Sequence, residues 1–265
     1  MLERLKSYLI FAIAALALTV FACSSDDDAS TESSGSTGSS TTATTADIGG
    51  APARIASVTD LQSFRYTVDV ALPGDAFGRG GQGGGITLDL EIGLSIAGAV
   101  ILPDREQSSV TTDLGLLQIE TETIRIGDLV WSRESGSGWQ IDSSAETDPF
   151  DGAFGPLAIF GDEMSSFQAV LDTIDPTSES VNGISALRYD LTAEDFARAA
   201  GPGAELPTGD FNELTVSLWI TSDSSIPVRM LMKGFTSDAD GKGELSFDLT
   251  LSDLNSDEIS IEPPI

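Results

Sequence analysis

Side-chain polarity alternates with a period of two through much of the chain beyond residue 60, and this pattern constrains the fold more than any other feature. Ile86, Leu88, Leu90, Ile92, Leu94 and Ile96 alternate with Thr87, Asp89, Glu91, Gly93 and Ser95. Leu214, Val216, Leu218 and Ile220 alternate with Thr215, Ser217, Trp219 and Thr221. The same holds for Leu245, Phe247, Leu249 and Leu251, and for Phe64, Tyr66, Val68 and Val70. A period of two places each set on its own face of a strand. Further strands are predicted near 107–113, 117–125, 127–133, 139–142, 179–191 and 226–235. Strands apolar on one face only belong to an antiparallel sheet that buries one side. The expected class is mainly β (α+β).

The turn chemistry agrees. Ser135-Gly136-Ser137-Gly138 separates strands carrying Trp131 and Trp139, and Asp238-Ala239-Asp240-Gly241 separates two longer ones. Gly78 to Gly85 holds six glycines in eight residues and reads as a loop, because it lacks the lysine and following helix of a phosphate-binding loop. Two helices interrupt the strands. Residues 162–174 carry Met164, Phe167, Val170, Leu171 and Ile174 at helical spacing, and Asp175-Pro176 ends the run. Thr192-Ala193-Glu194-Asp195 has the form of a capping box, and the short helix behind it stops before Gly201-Pro202. An open twisted sheet rarely exceeds about ten strands without curling or splitting. Two short helices are too few to cover a curled sheet of this size, so part of its concave face is a candidate ligand groove.

The first 22 residues read as an export signal. Arg4 and Lys6 precede 14 uncharged residues from Tyr8 to Phe21. That run is shorter than the ~20 residues of a transmembrane helix and fits a signal peptide. Val20-Phe21-Ala22-Cys23 then resembles a bacterial lipobox, so Cys23 is the expected acylation site and N-terminus of the mature chain. Residues 23–50 form the next segment, with eight Ser and six Thr among positions 24–50. Such a stretch cannot bury enough apolar surface to fold. As a flexible chain it spans about 26–31 Å, from ~5–6 Å times the square root of its length. Residues 51–265 make a single domain.

Composition removes several function classes. The chain has 13 basic and 42 acidic residues, no histidine and one cysteine. Without histidine there is no Ser-His-Asp or Cys-His catalysis and no His-ligated metal. One cysteine allows neither a disulfide framework nor a cysteine-rich metal site. A formal charge of -29 repels nucleic acid. Asp142, Glu146, Asp148 and Asp151 could bind a cation but read first as a solvated acidic loop, and Asp238 to Glu244, with Asp240, reads as a hairpin turn. The latter lacks the third ligand before its glycine and the twelfth-place glutamate of a calcium loop. No carboxylate pair stands beside an identifiable nucleophile, so no enzyme, cofactor or metal is expected.

Several segments together resemble bacterial lipid-carrier lipoproteins of the LolA/LolB superfamily, closest to the LppX/LprG (LppX_LprAFG) branch. These are Ser57 to Tyr66; Asp128-Leu129-Val130-Trp131 with Trp139; Val181-Asn182-Gly183 leading to Arg188-Tyr189-Asp190-Leu191; Val216 to Ile220 with Ile226-Pro227-Val228-Arg229-Met230; and Leu251 to Asn255 running to Pro264. The resemblance implies a half-barrel: one strongly curved antiparallel sheet with helices across its open side, behind the signal peptide and linker. It implies a lipid or glycolipid held between sheet and helices and carried within the cell envelope. It also implies a protein held by acylated Cys23 at the extracytoplasmic side of the membrane. The Gly78–Gly85 loop and the acidic stretch 142–151 depart from it.

The candidate lipid-contacting residues are Leu88, Leu90, Ile92, Leu94, Val216, Leu218, Phe247 and Leu249 on strands, with Met164, Phe167 and Leu171 from the helical lid. For each, the competing reading is plain core packing. A second function is an envelope sensor or assembly factor of the same fold, acting on a transporter or other protein partner rather than a lipid.

Overall fold

The computed structural model describes residues 54–72, 92–115, 117–142, 157, 160–200, 211–238 and 241–265. Cys23, the signal and tether, Leu88, Leu90, the Gly78–Gly85 loop and the acidic residues 143–151 lie outside them.

The described chain is mainly β, with one antiparallel sheet of eleven strands that does not close into a barrel. In chain order the strands are β1 (Ser63–Leu72), β2 (Ile92–Ile101), β3 (Arg105–Asp113), β4 (Gln118–Ile126), β5 (Leu129–Glu134), β6 (Gln140–Asp142), β7 (Thr177–Val181), β8 (Ile184–Thr192), β9 (Phe211–Thr221), β10 (Pro227–Asp238) and β11 (Gly241–Ser252). The spatial order is β6-β5-β4-β3-β2-β1-β11-β10-β9-β8-β7. Two meanders thus meet where β1 pairs with β11. The run 179–191 is split: Asn182 and Gly183 take positive φ of 50° and 82°, and the strands on either side pair as a hairpin. Only a two-residue turn of that hand matches the twist of the strands it joins.

This topology forces one long connection. The chain leaves the sheet at edge strand β6 and re-enters at the opposite edge, β7. The described part of that connection packs on one sheet face through Leu157, Phe160, Met164, Phe167, Val170 and Leu171, all buried in the main core. Residues 162–174 are not one α-helix. Asp162–Phe167 is a 3-10 helix, followed by a single α turn, α1 (Gln168–Leu171). The cause lies in the spacing: Met164, Phe167 and Val170 recur every three residues, and a 3-10 helix stacks positions i and i+3 on one line. Gly161 at the start offers no side-chain cap. The second helix, α2 (Ala193–Ala200), forms where its capping box predicts. Asp195 N–H donates to Thr192 Oγ1, and Thr192 N–H donates back to Asp195 Oδ2, both at 3.1 Å.

The register lines up the core. Val110, Ile96, Val68, Leu249, Met230, Leu218 and Tyr189 are successive cross-strand partners from β3 to β8. All seven belong to the main apolar cluster or pack against it. Each such side chain taken from water contributes about 1.5–3 kcal/mol. We call this the inner face. The outer face is covered differently. Ile259 and Ile261 of the C-terminal segment pack on Ala99 and Ile124, and Arg105 Nη1 donates to the Ile261 carbonyl at 3.3 Å. Further along, Trp219 lies between two guanidiniums, Arg188 at 5.4 Å and Arg229 at 4.8 Å from its ring centre. Its indole N–H donates to Glu179 at 2.8 Å, and Arg229 is paired bidentately with Asp248. Trp219 is therefore a sheet-packing residue.

Ile261 is 1% exposed, so Ile261→Ala leaves a cavity under the outer face. It is expected to lower unfolding stability by about 2–4 kcal/mol, read from the midpoint of a urea titration.

Candidate functional site

The inner face changes character across the sheet. From β8 to β2 its side chains are apolar. On β3, β4 and β5 the same face presents Glu106, Ser108, Thr121, Thr123, Arg125 and Ser132 among the apolar Val110, Ile119 and Val130. The border is Tyr66. Its cross-strand partner on β2 is Gly98, and a Cβ there would stand 2.5 Å from the ring. The missing side chain lets the Tyr66 ring lie across β2, so that its hydroxyl reaches Glu106 Oε1 on β3 at 3.4 Å.

Glu106 and Ser108 are 5% and 2% exposed. Burial pushes the Glu106 carboxyl up to about 8, against weaker opposing effects of the Arg125 charge and of the Tyr66 and Ser108 hydroxyls. The carboxyl is therefore mostly neutral at pH 7. Burial and the nearby Glu106 raise the Tyr66 phenol as well, so it stays protonated. Ser108 Oγ lies close enough to both to favour their charged forms, yet it makes no hydrogen bond. Arg125 is the direct cross-strand partner of Glu106, and its Nε is buried without an acceptor. Buried donors in this condition cost about 1–3 kcal/mol each. Tyr189, wholly buried on β8, also leaves its hydroxyl unpartnered.

The structure brings most of the sequence-nominated residues together. Met164, Phe167, Leu171, Val216, Leu218 and Leu249 are buried in the main cluster, with Leu94 and Phe247 packed against it. Ile92, at the start of β2, is half-buried. Burial is uneven along the face. The rank through Ile96, Val68, Leu249 and Leu218 is closed, whereas Leu94, Val70, Phe247 and Met232, one rank along, are half-buried. Helix α2 lies against β8 and β9, away from the β2–β4 part of the face.

Sequence reasoning missed the polar cluster. Its signal was present in β3, where Glu106 and Ser108 precede Val110 at the inward spacing, but polar residues on a strand read as a solvated face. A separate crevice of about 200 Å³ lies by the β5–β6 turn, lined by Glu120, Glu122, Arg133, Glu134 and Ser135–Ser137. Arg133 there is held by Glu122 at 2.8 and 2.9 Å and covers Trp139, so its charge is already matched. Among the described residues no group of three or more acidic or cysteine side chains is placed to hold a metal ion.

Two predictions follow from this geometry. Gly98→Ala must displace the Tyr66 ring and is expected to destabilise by about 1–3 kcal/mol in urea unfolding. Glu106 supplies a pH dependence. Its folded-state pKa is raised from 4.5 to about 8, so the folded state holds the extra proton. The associated stability is full below pH 4.5 and is lost as pH rises through about 8. With no histidine in the chain, few other side chains titrate between pH 6 and 9. Wild-type melting temperature should fall across that range, by about 2–4 °C per kcal/mol lost. Glu106→Gln should flatten the profile and melt higher than wild type at pH 9.

No family model matches the sequence, and no curated protein matches it.

Proposed function

We propose that this protein is a membrane-anchored lipoprotein that binds lipid or glycolipid against the inner face of its sheet and carries it within the cell envelope. In this reading the sheet is a half-barrel of the LolA/LppX type, with the helical crossover lying over its open side. Cys23 carries the acyl anchor and residues 24–50 form the tether. The observation that carries the reading is the uneven burial of the inner face among the described residues. Helix α2 packs against β8 and β9 and the connection joins the same core, while Leu94, Val70, Phe247 and Met232 stay half-buried beside it. Such a face gives a hydrocarbon chain an apolar surface to follow, worth about 0.8 kcal/mol per CH₂ removed from water. No catalytic group is needed for carriage, which depends on burial alone.

Anchoring has its own physical logic. A single acyl chain holds a protein weakly and two hold it stably, so a diacylglyceryl group on Cys23 keeps the domain at the membrane. The tether lets it reach away from that surface, and the acidic surface is repelled by anionic head groups.

Native mass spectrometry of the chain from Ala51 onward, expressed without Cys23, tests the reading. The expected spectrum shows a discrete excess mass of lipid size that disappears on denaturation. A bare polypeptide mass that stays bare after incubation with envelope lipid extract, together with a stable protein partner in pull-down, would move the function to a sensor or assembly factor.

A further inference from the structure

We infer that Ser108 and Arg125, backed by Glu106 and Tyr66, form a head-group subsite on the inner face that takes an oxyanion, a carboxylate or a phosphate, of an amphipathic ligand. The inference rests on the carrier reading and adds the chemistry of the ligand's polar end.

Three observations support it. First, the subsite has donors without acceptors. Ser108 is 2% exposed and its Oγ makes no hydrogen bond, and Arg125 Nε is likewise buried and unpartnered. Such groups favour a ligand that can partner them: the Arg125 N–H, a donor only, asks for an acceptor oxygen, and the Ser108 hydroxyl can donate to the same oxygen. Second, the local charge is positive. Glu106 is held mostly neutral by burial, so the Arg125 guanidinium beside it is unmatched at neutral pH. A guanidinium suits the planar oxygens of a carboxylate or phosphate. This local charge stands against a chain of net charge -29, so an anion is directed to the subsite rather than to the general surface. Third, the subsite adjoins the apolar part of the same face. Ser108 and Thr112 bracket Val110 on β3, and Thr112 is the cross-strand partner of half-buried Leu94. From Ser108 to that rank is four residues of strand, about 13 Å at ~3.3 Å per residue. A head group at Ser108 can therefore run its chain along Val110 to Leu94 without leaving the sheet.

The test uses the whole mature chain, with Cys23→Ser so that no acyl group of its own competes. Binding is measured for oleate against oleyl alcohol, and for dioleoyl phosphatidate against dioleoylglycerol. Arg125→Gln is expected to weaken the acidic member of at least one pair tenfold or more, with the neutral member changed less than threefold. Ser108→Ala, a smaller change that keeps the fold testable if Arg125→Gln does not fold, is expected to weaken the same ligand about threefold. Loss confined to oleate identifies a carboxylate head, and loss confined to phosphatidate a phosphate. Equal losses for acidic and neutral members, or no loss for any, would overturn the subsite while leaving the carrier reading in place. Binding of none of the four would overturn both.

Discussion

The rank of seven side chains from Val110 to Tyr189 is the interaction on which the rest of this structure depends. It crosses the seam where β1 meets β11, and so joins the two meanders through strands at opposite ends of the domain's sequence. Slipping any one strand by a residue would turn its apolar side chains to the outer face. The rank also explains the connection from β6 to β7. A sheet with one apolar face needs a cover, and a chain that must pass from one edge to the other provides it. Leu157, Phe160, Met164, Phe167 and Leu171 on that connection are buried for this reason.

At Tyr66 the chemistry of the buried face changes. Gly98 leaves room for the Tyr66 ring, and the ring carries a hydroxyl across β2 to the buried carboxyl of Glu106. Beyond it hydroxyls and a guanidinium are mixed among apolar side chains such as Val130. The inner face is thus amphipathic along the sheet, not only across it. The outer face handles polarity in the usual way, with matched ion pairs and arginines stacked on Trp219. The contrast between matched charges outside and unmatched donors inside is the reason the proposed function is placed on the inner face.

Much of this was legible in the sequence, for local reasons. The alternation of Val216, Leu218 and Ile220, and of Phe247, Leu249 and Leu251, is written in consecutive residues, and both segments are strands with those residues buried or packed on the core. Thr192 and Asp195 announce their cap by spacing alone. What was not legible is what depends on cross-strand register. The partnership of Gly98 with Tyr66, and of Glu106 with Arg125, joins residues on different strands through pairings that no single segment specifies. The 162–174 segment misled for a different reason: its three-residue spacing suits both a 3-10 and an α-helix, and the shorter repeat prevailed. The nominated residues Leu218 and Leu249 on the sheet and Met164 on the connection came together in one core, and under the proposed function the half-buried rank through Leu94 and Phe247 is the better contact surface.

The proposed account joins these features: a tethered sheet whose inner face would hold a hydrocarbon chain and whose polar end would hold the head. Its central claim is carriage, and carriage is a rate. The most direct measurement is transfer of a fluorescent phospholipid from donor to acceptor vesicles by the non-acylated mature chain. The account predicts a transfer rate that rises in proportion to protein concentration and persists when a dialysis membrane separates the two vesicle populations. A rate that stays at the protein-free value at every concentration would contradict it.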